Sequence, residues 1–310
     1  MSFSQEVKGE ILRKKITHSC CTAAAAYAVA CFGRYFDDHG VVLQTESEGT
    51  AAFALKTYAH CGITGTVLKK DRPAGPIFEF SVKEPAQVES MLRLFGHTGR
   101  EPSLHIHPDM LKCKGCVSTF IGTAFLCCGT ATDPEKEYNI EFLSTRYHLS
   151  RELEALLAEH EFRPHRTVRK GANIVYIKAS ENIEELLTFM GAGGAAMKIM
   201  DQRMYNAMRN KTNRLSNCET ANLSKSVQAA VQVQMAIRAL QKAGAMDTLP
   251  EMLRDTADKR MQYPEMTLAE LAQRFDPPVS KAGLSHRLKR IVQAAQRLNA
   301  VQEQQEKTKH

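Results

Sequence analysis

Apolar residues recur along this chain in two rhythms, and the change from one to the other divides it. Up to about residue 190, helical runs alternate with short stretches rich in Val, Ile and Phe; beyond that point the spacing is helical almost throughout. Phe3, Val7 and Ile11, four apart, predict a short N-terminal helix that buries one face. Two segments then share one order of elements. The first reads as an Ala-rich helix ending at Gly33, a strand at 41–45, a helix at 50–60, strands at 63–68 and 77–82, and a helix at 84–95. The second reads as a helix at 117–128 ending at Gly129, a strand at 138–143, a helix at 149–160, strands at 165–169 and 174–177, and a helix at 182–190. Gly33 and Gly129 lie 96 positions apart, and Ile77 and Ile174 lie 97 apart. An offset this steady predicts a duplicated α-β-α-β-β-α unit, with halves at about 16–96 and 113–191.

Gly191-Ala192-Gly193-Gly194 is the most flexible-looking stretch and is expected to act as a hinge closing a first domain at 1–192. A linker helix carrying the NRLSNCETAN segment at 193–225 and an all-α domain at 226–300 should follow, with helices at 226–242, 250–260, 267–275 and 280–298 punctuated by Gly244 and Pro264. Thr267 and Glu270 have the spacing of a capping box, and Leu268, Leu271, Ala272 and Phe275 form the buried side of the helix it starts. Asp276-Pro277-Pro278 stops that helix, because proline donates no backbone hydrogen bond and pushes its predecessor out of helical geometry. Ser280 suits the N-cap of the next one. There, at about 100° per residue, Leu284, Leu288, Ile291 and Ala295 make one stripe, while Ala282, Gly283, His286, Lys289, Arg290 and Gln293 lie opposite. The polar segment at 301–310 is expected to be a disordered tail.

Charge sharpens this division. Residues 1–200 hold 23 basic and 23 acidic side chains, whereas 201–310 hold 18 and 11, so the whole net charge of +7 belongs to the last third. Between Ser280 and Arg297 stand Lys281, Arg287, Lys289, Arg290 and Arg297 with no acid. A helix that packs by one side and offers cations and small residues on the other matches the second helix of a helix-turn-helix entering DNA. Nine cysteines with no apolar signal segment point to a reducing cytoplasm, and Ala23 to Phe32 is too short an apolar run to span a bilayer.

The string Asn213-Arg214-Leu215-Ser216-Asn217-Cys218-Glu219-Thr220-Ala221-Asn222, the SKAGLSHRL stretch at 280–288, and Met1-Ser2-Phe3-Ser4 with Cys20-Cys21 together resemble the WhiA family of bacterial transcription regulators. The resemblance spans nearly the whole chain. It implies an α+β fold: a duplicated LAGLIDADG homing-endonuclease-like domain followed by an all-α helix-turn-helix domain similar to the promoter-reading domain of sigma factors. It further implies a DNA-binding protein of cell division, chromosome segregation or sporulation.

A LAGLIDADG nuclease needs a carboxylate near the C-terminal end of each central helix to hold divalent metal against the scissile phosphates. Phe32 and Cys128 stand in those places, and Asp37, Asp38 and Asp133 lie four or more residues past the glycines. No nuclease activity is expected. Cys113-Lys114-Gly115-Cys116 has metal-knuckle spacing and Cys20-Cys21 opens the equivalent helix, so a four-thiolate zinc site across the pseudo-twofold is conceivable; adjacent cysteines seldom share one metal, so packing is the preferred reading of all four and no metal or cofactor is expected. His105 and His107 read as strand or loop surface.

The expected partner is double-stranded DNA, with a protein co-regulator or RNA polymerase as a second, no membrane contact, and a nucleoid-associated place in the cytoplasm. His286, Lys289, Arg290 and Gln293 are placed for base edges, and Ser280, Lys281, Ser285 and Arg287 for phosphates. Arg209, Arg214 and Lys225, interleaved with Asn210, Asn213, Asn217 and Asn222, form a second candidate surface; the competing reading is a capped helix junction whose amides satisfy loose backbone groups. Two function classes remain: a sequence-specific regulator, and a nucleoid-associated interaction protein that recruits a division or transcription partner and has weak DNA specificity.

Overall fold

A computed structural model describes residues 2–307, with the side chains of 301–307 excepted. Helix α1 (Phe3–Arg13) opens on a capping box between Ser2 and Gln5 and buries Phe3, Val7 and Ile11. The first half then runs α2 (Ser19–Phe32), β1 (Tyr35–Asp37), β2 (Gly40–Thr45), α3 (Glu48–His60), β3 (Thr66–Lys70), β4 (Ile77–Val82) and α4 (Pro85–Phe95). The second repeats it with α5 (Lys114–Cys128), β5 (Gly129–Ala131), β6 (Ile140–Ser144), α6 (Tyr147–Glu159), β7 (His165–Arg169), β8 (Ala172–Ile177) and α7 (Ser180–Met190). The two antiparallel sheets have the same order, β1-β2-β4-β3 and β5-β6-β8-β7. The duplication is therefore one of topology, and it includes β1 and β5, three-residue strands too short to leave a period in the sequence.

Helices α2 and α5 are apolar on every side and form the centre of the unit, as a helix without a polar face must. Alanines at 24–26, 28 and 30 keep α2 slim, Phe120 and Phe125 fill out α5, and around the pair lie Tyr58, Phe80, Phe95 and Phe142, all fully buried. Gly33 and Gly129 end these helices because the chain turns straight into a strand: a β-carbon at Gly33 would stand 2.6 Å from the Val29 carbonyl oxygen, and one at Gly129 2.7 Å from Phe125 Cα.

The segment between the halves is pinned, not loose. Tyr27 of α2 donates its hydroxyl to the His105 carbonyl oxygen at 2.7 Å and accepts the His107 N–H at 3.0 Å. Glu152 of α6 accepts the Ile106 N–H at 2.6 Å and sits 2.5 Å from His105 Nδ1. His107, read from the sequence as surface, meets the buried His97 ring edge-on, with centroids 4.5 Å apart.

The expected hinge at Gly191–Gly194 is a two-residue corner. Gly191 closes α7 in the left-handed conformation, at φ 97°, and α8 (Gly193–Lys242) starts at once. Glu10 of α1 accepts the Gly194 N–H at 2.8 Å, and Lys198 pairs with Glu6. Ala192, Ala195, Ala196 and Ile199 are buried in the first core, so the compact unit runs to Met208 and not to residue 192. The linker helix expected at 193–225 does not end there but is continuous with the helix placed at 226–242.

The second unit covers residues 209–310. Val233, Ile237 and Leu240 of α8 pack with α9 (Glu251–Gln262), α10 (Leu268–Ala272) and α11 (Lys281–Lys307) around Leu253, Ala257, Leu271, Phe275, Leu284, Leu288 and Ile291. Helix α10 is shorter than expected, with its chain reversing after Gln273. The tail expected at 301–310 continues α11 as helix through Lys307, and 308–310 lie outside the described residues. Among the described residues, no helix is long and apolar enough to cross a membrane.

Candidate nucleic-acid interface

The second unit builds its outward surface on a helix-turn-helix. Thr267 Oγ1 accepts the Glu270 N–H at 3.3 Å while Glu270 Oε2 accepts the Thr267 N–H at 2.8 Å, so the capping box closes in both directions. Val279 N–H bonds back to the Ala272 carbonyl at 3.1 Å and completes the turn. Arg260, almost wholly buried, donates Nη1 to the Met266 carbonyl at 2.6 Å and fixes the approach to α10. Ser280 caps α11 by accepting the Gly283 N–H at 3.0 Å. A β-carbon at Gly283 would stand 3.1 Å from that hydroxyl oxygen, so the glycine serves the cap; the capped serine still has its own O–H to donate.

Leu284, Leu288, Ile291 and Ala295 face the core, and Ala282, His286, Lys289, Arg290, Gln293 and Arg297 are exposed on the other side. Carboxylate pairs in this unit, among the described residues, join Arg254 to Asp247 and Lys259 to Asp255. The charges of Lys281, Lys289 and Arg290 therefore meet solvent without a local counter-charge.

Two residues expected to contact phosphate are only partly exposed. Arg287 is half-buried with its guanidinium 5.5 Å from the Phe275 ring centroid, and Lys259 approaches the same ring at 4.5 Å. Ser285 is half-buried and, with Ser226, Val233, Met266, Lys289 and Gln293, lines a cleft of about 370 Å³ along α11. Arg260 and Lys259 carry no motif of their own and were not singled out from the sequence; only their spacing from Phe275 and Met266 in the folded unit gives them a role.

On α8 every residue from 207 to 229 is exposed. The asparagines cap no junction, since they lie inside a continuous helix; Asn222 Nδ2 reaches only Cys218 Sγ, at 3.7 Å. At about 100° per residue, Lys211, Arg214 and Lys225 fall on one face and Arg209 on the opposite one. The structure thus groups Arg214 with Lys225 and separates both from Arg209.

In the first unit the ends of the central helices hold cations and not acids. Arg146, half-buried at the head of α6, donates Nη1 to the Cys31 carbonyl and lies 3.4 Å from the Gly33 carbonyl oxygen. It lines a cleft of about 380 Å³ with Phe32, Cys127 and Cys128. Burial pushes the Cys128 thiol up to about 12, so it stays protonated, and the ammonium of Lys8 from α1 lies 5.8 Å from the nearby Phe125 ring. Asp38 is engaged at 2.8 Å by Arg100, and Asp133 caps the Glu135 N–H at 3.0 Å. Cations on the strands are neutralised in place: Lys70 by Glu79 at 2.8 Å and Arg169 by Glu141 at 3.0 Å.

Two family models match the chain: one described as the WhiA LAGLIDADG-like domain over residues 117–209, the other as the WhiA C-terminal HTH domain over residues 212–295. The chain is 31% identical over 314 residues to the "Probable cell division protein WhiA" of Caldicellulosiruptor saccharolyticus, covering 96% of each. It is 33% identical over 307 residues to the protein of the same name from Heliobacterium modesticaldum, again covering 96% of each. The crystal structure of full-length WhiA from Thermotoga maritima is similar in fold, with a TM-score of 0.61 at 17% identity over 96% of this chain and 99% of that one.

Proposed function

Because the chain belongs to the WhiA family, we propose that it is a sequence-specific DNA-binding transcription regulator of cell division, chromosome segregation or sporulation, and that it does not cut DNA. The observation that carries this reading is the outward face of α11, where His286, Lys289, Arg290 and Gln293 stand exposed on a helix fixed by its opposite stripe. In a major groove, Lys or Arg bonds guanine O6 and N7, and Gln pairs with adenine N6 and N7. Ser280 and Lys281 meet phosphate at the helix start, where unpaired backbone N–H groups add to the attraction. Arg214 and Lys225, three turns apart on one face of α8, supply sequence-independent phosphate contacts. The first unit keeps a nuclease shape without its carboxylates and acts as an accessory or docking domain at the nucleoid.

A second reading draws on Leu68 of β3 and Val168 of β7, both strongly exposed on outer strands. It makes the duplicated domain a recruiter of a division factor or of RNA polymerase and leaves DNA binding weakly specific. Affinity for promoter and random duplexes at physiological salt separates the two. A specific reader prefers its site by roughly 10³ or more, and replacing His286, Lys289 and Arg290 with alanine abolishes that preference. Equal affinity for both duplexes, or a preference that survives the triple substitution in folded protein, overturns the regulator reading.

A further inference from the structure

Cys20 and Cys21 lie in the first turn of α2, Cys113 is the N-cap of α5, and Cys116 lies in the first turn of α5. The sulfurs of all four lie within 4.8 Å of one another. Cys113 is 3.4 Å from Cys116, and Cys21 is 3.8 Å from both. All four are free thiols; Cys21 and Cys116 are buried and Cys113 is at the surface. Gly115 fits this convergence, because its β-carbon would stand 3.0 Å from Cys21 Sγ and 3.6 Å from Cys113 Sγ, inside the space between them.

We propose that Cys20, Cys21, Cys113 and Cys116 form a structural tetrathiolate zinc site that ties together the starts of the two central helices. Thiolates about 2.3 Å from a tetrahedral zinc stand about 3.8 Å from each other, close to the separations found. An iron–sulfur cluster spreads its four thiolates over several irons and needs a wider set. A disulfide uses one pair at about 2.0 Å and leaves the other two thiols without a role. Soft thiolates also select zinc over magnesium or calcium. Binding is a proton exchange: four thiols lose four protons, four Zn–S bonds form, and the site carries a net charge of −2. Two helix N-termini and the flanking Lys112 and Lys114 offset that charge. The site lies at the other ends of α2 and α5 from Phe32 and Cys128, so it holds the two halves in register and takes no part in reading DNA.

Full-length protein purified under reducing conditions without chelator is expected to carry about one zinc per chain by mass spectrometry of the metal. Exchange with cobalt(II) should give intense thiolate-to-cobalt charge-transfer and tetrahedral d–d bands. Cys113→Ser with Cys116→Ser loses metal and bands, whereas Cys61→Ser with Cys218→Ser keeps both. Where the first pair does not fold, the unmodified protein decides alone: four thiols should resist a thiol reagent until a chelator removes the metal. Reduced protein that is metal-free and takes up no cobalt, a bound iron–sulfur chromophore, or a Cys113–Cys116 disulfide in the native chain each overturns the proposal.

Discussion

Arg146, in the second half of the first unit, donates through Nη1 to the carbonyl oxygen of Cys31, one residue before the end of α2 in the first half. On the reading proposed above, this guanidinium stands where a nuclease of this shape would gather a divalent cation, and it would repel one. Phe32 and Cys128 in place of acids are then only part of what keeps the unit from cutting. Phe32→Asp with Cys128→Asp is expected to leave plasmid DNA uncut in Mg²⁺ or Mn²⁺, the new carboxylates pairing with Arg146 and Lys8 instead of with metal. Nicking by that variant, or nicking by the unmodified protein that vanishes on Asp37→Ala or Asp133→Ala, contradicts this account.

Arg287 and Arg290, three residues apart, should separate packing from recognition. Arg287→Ala removes a cation from the face of Phe275 and should lower stability by about 0.5–1 kcal/mol while the salt dependence of DNA binding barely changes. Arg290→Ala should leave the denaturation midpoint in place and weaken binding to the preferred site. Paired urea melts and anisotropy titrations check both; a reversed pattern would exchange the two roles.

The exposed face of α8 predicts a different signature. Arg214→Ala should weaken binding to every duplex alike and flatten the plot of log affinity against log salt by about one unit. Its thermal midpoint should hold, because the side chain is exposed on a helix that it does not cap. A destabilised variant with an unchanged slope points to a structural part for this arginine.

Stability should also depend on pH through His97. Burial holds its imidazole below the usual histidine range, His107 adds to this, and Glu101 partly opposes it. The folded chain therefore binds this proton less readily than the unfolded chain. The stability is present in full above the unfolded value of about 6.5 and is lost as pH falls below it towards the lowered folded value. Denaturant titrations between about pH 5 and 8 should show a slope that His97→Gln reduces. An unchanged slope assigns it to other groups; Glu101, itself held below the usual carboxylate range, acts in a more acidic window.

What the sequence made legible was whatever is local and periodic. The Thr267–Glu270 capping box, the Leu284–Leu288–Ile291–Ala295 stripe and the paired glycines at 33 and 129 each need only neighbours in the chain, and the structure contains them. The offset of 96 or 97 reached further because two copies can be compared. The losses were long-range or fell below the length of a period. Strands β1 and β5 are three residues each. Glycines at 191–194 suggested a hinge because the carboxylate of Glu10, almost two hundred positions earlier, could not be seen holding them. The packing of Arg287 on Phe275 was hidden because the ring is contributed from across a turn. The four thiols could be weighed as a metal site but not brought together, because their convergence depends on how α2 and α5 pair.

Residues 207–229 of α8 give no side chain to either core. Such a stretch lacks the packing of a core, so its amides should exchange with deuterium ahead of those in the cores, and a protease used sparingly should nick there first. Heating should then separate two endotherms instead of one, since a core that has melted withdraws no packing from this connector. A single midpoint measured on the whole chain would average two unrelated transitions, and substitutions in each unit belong with that unit's own melt.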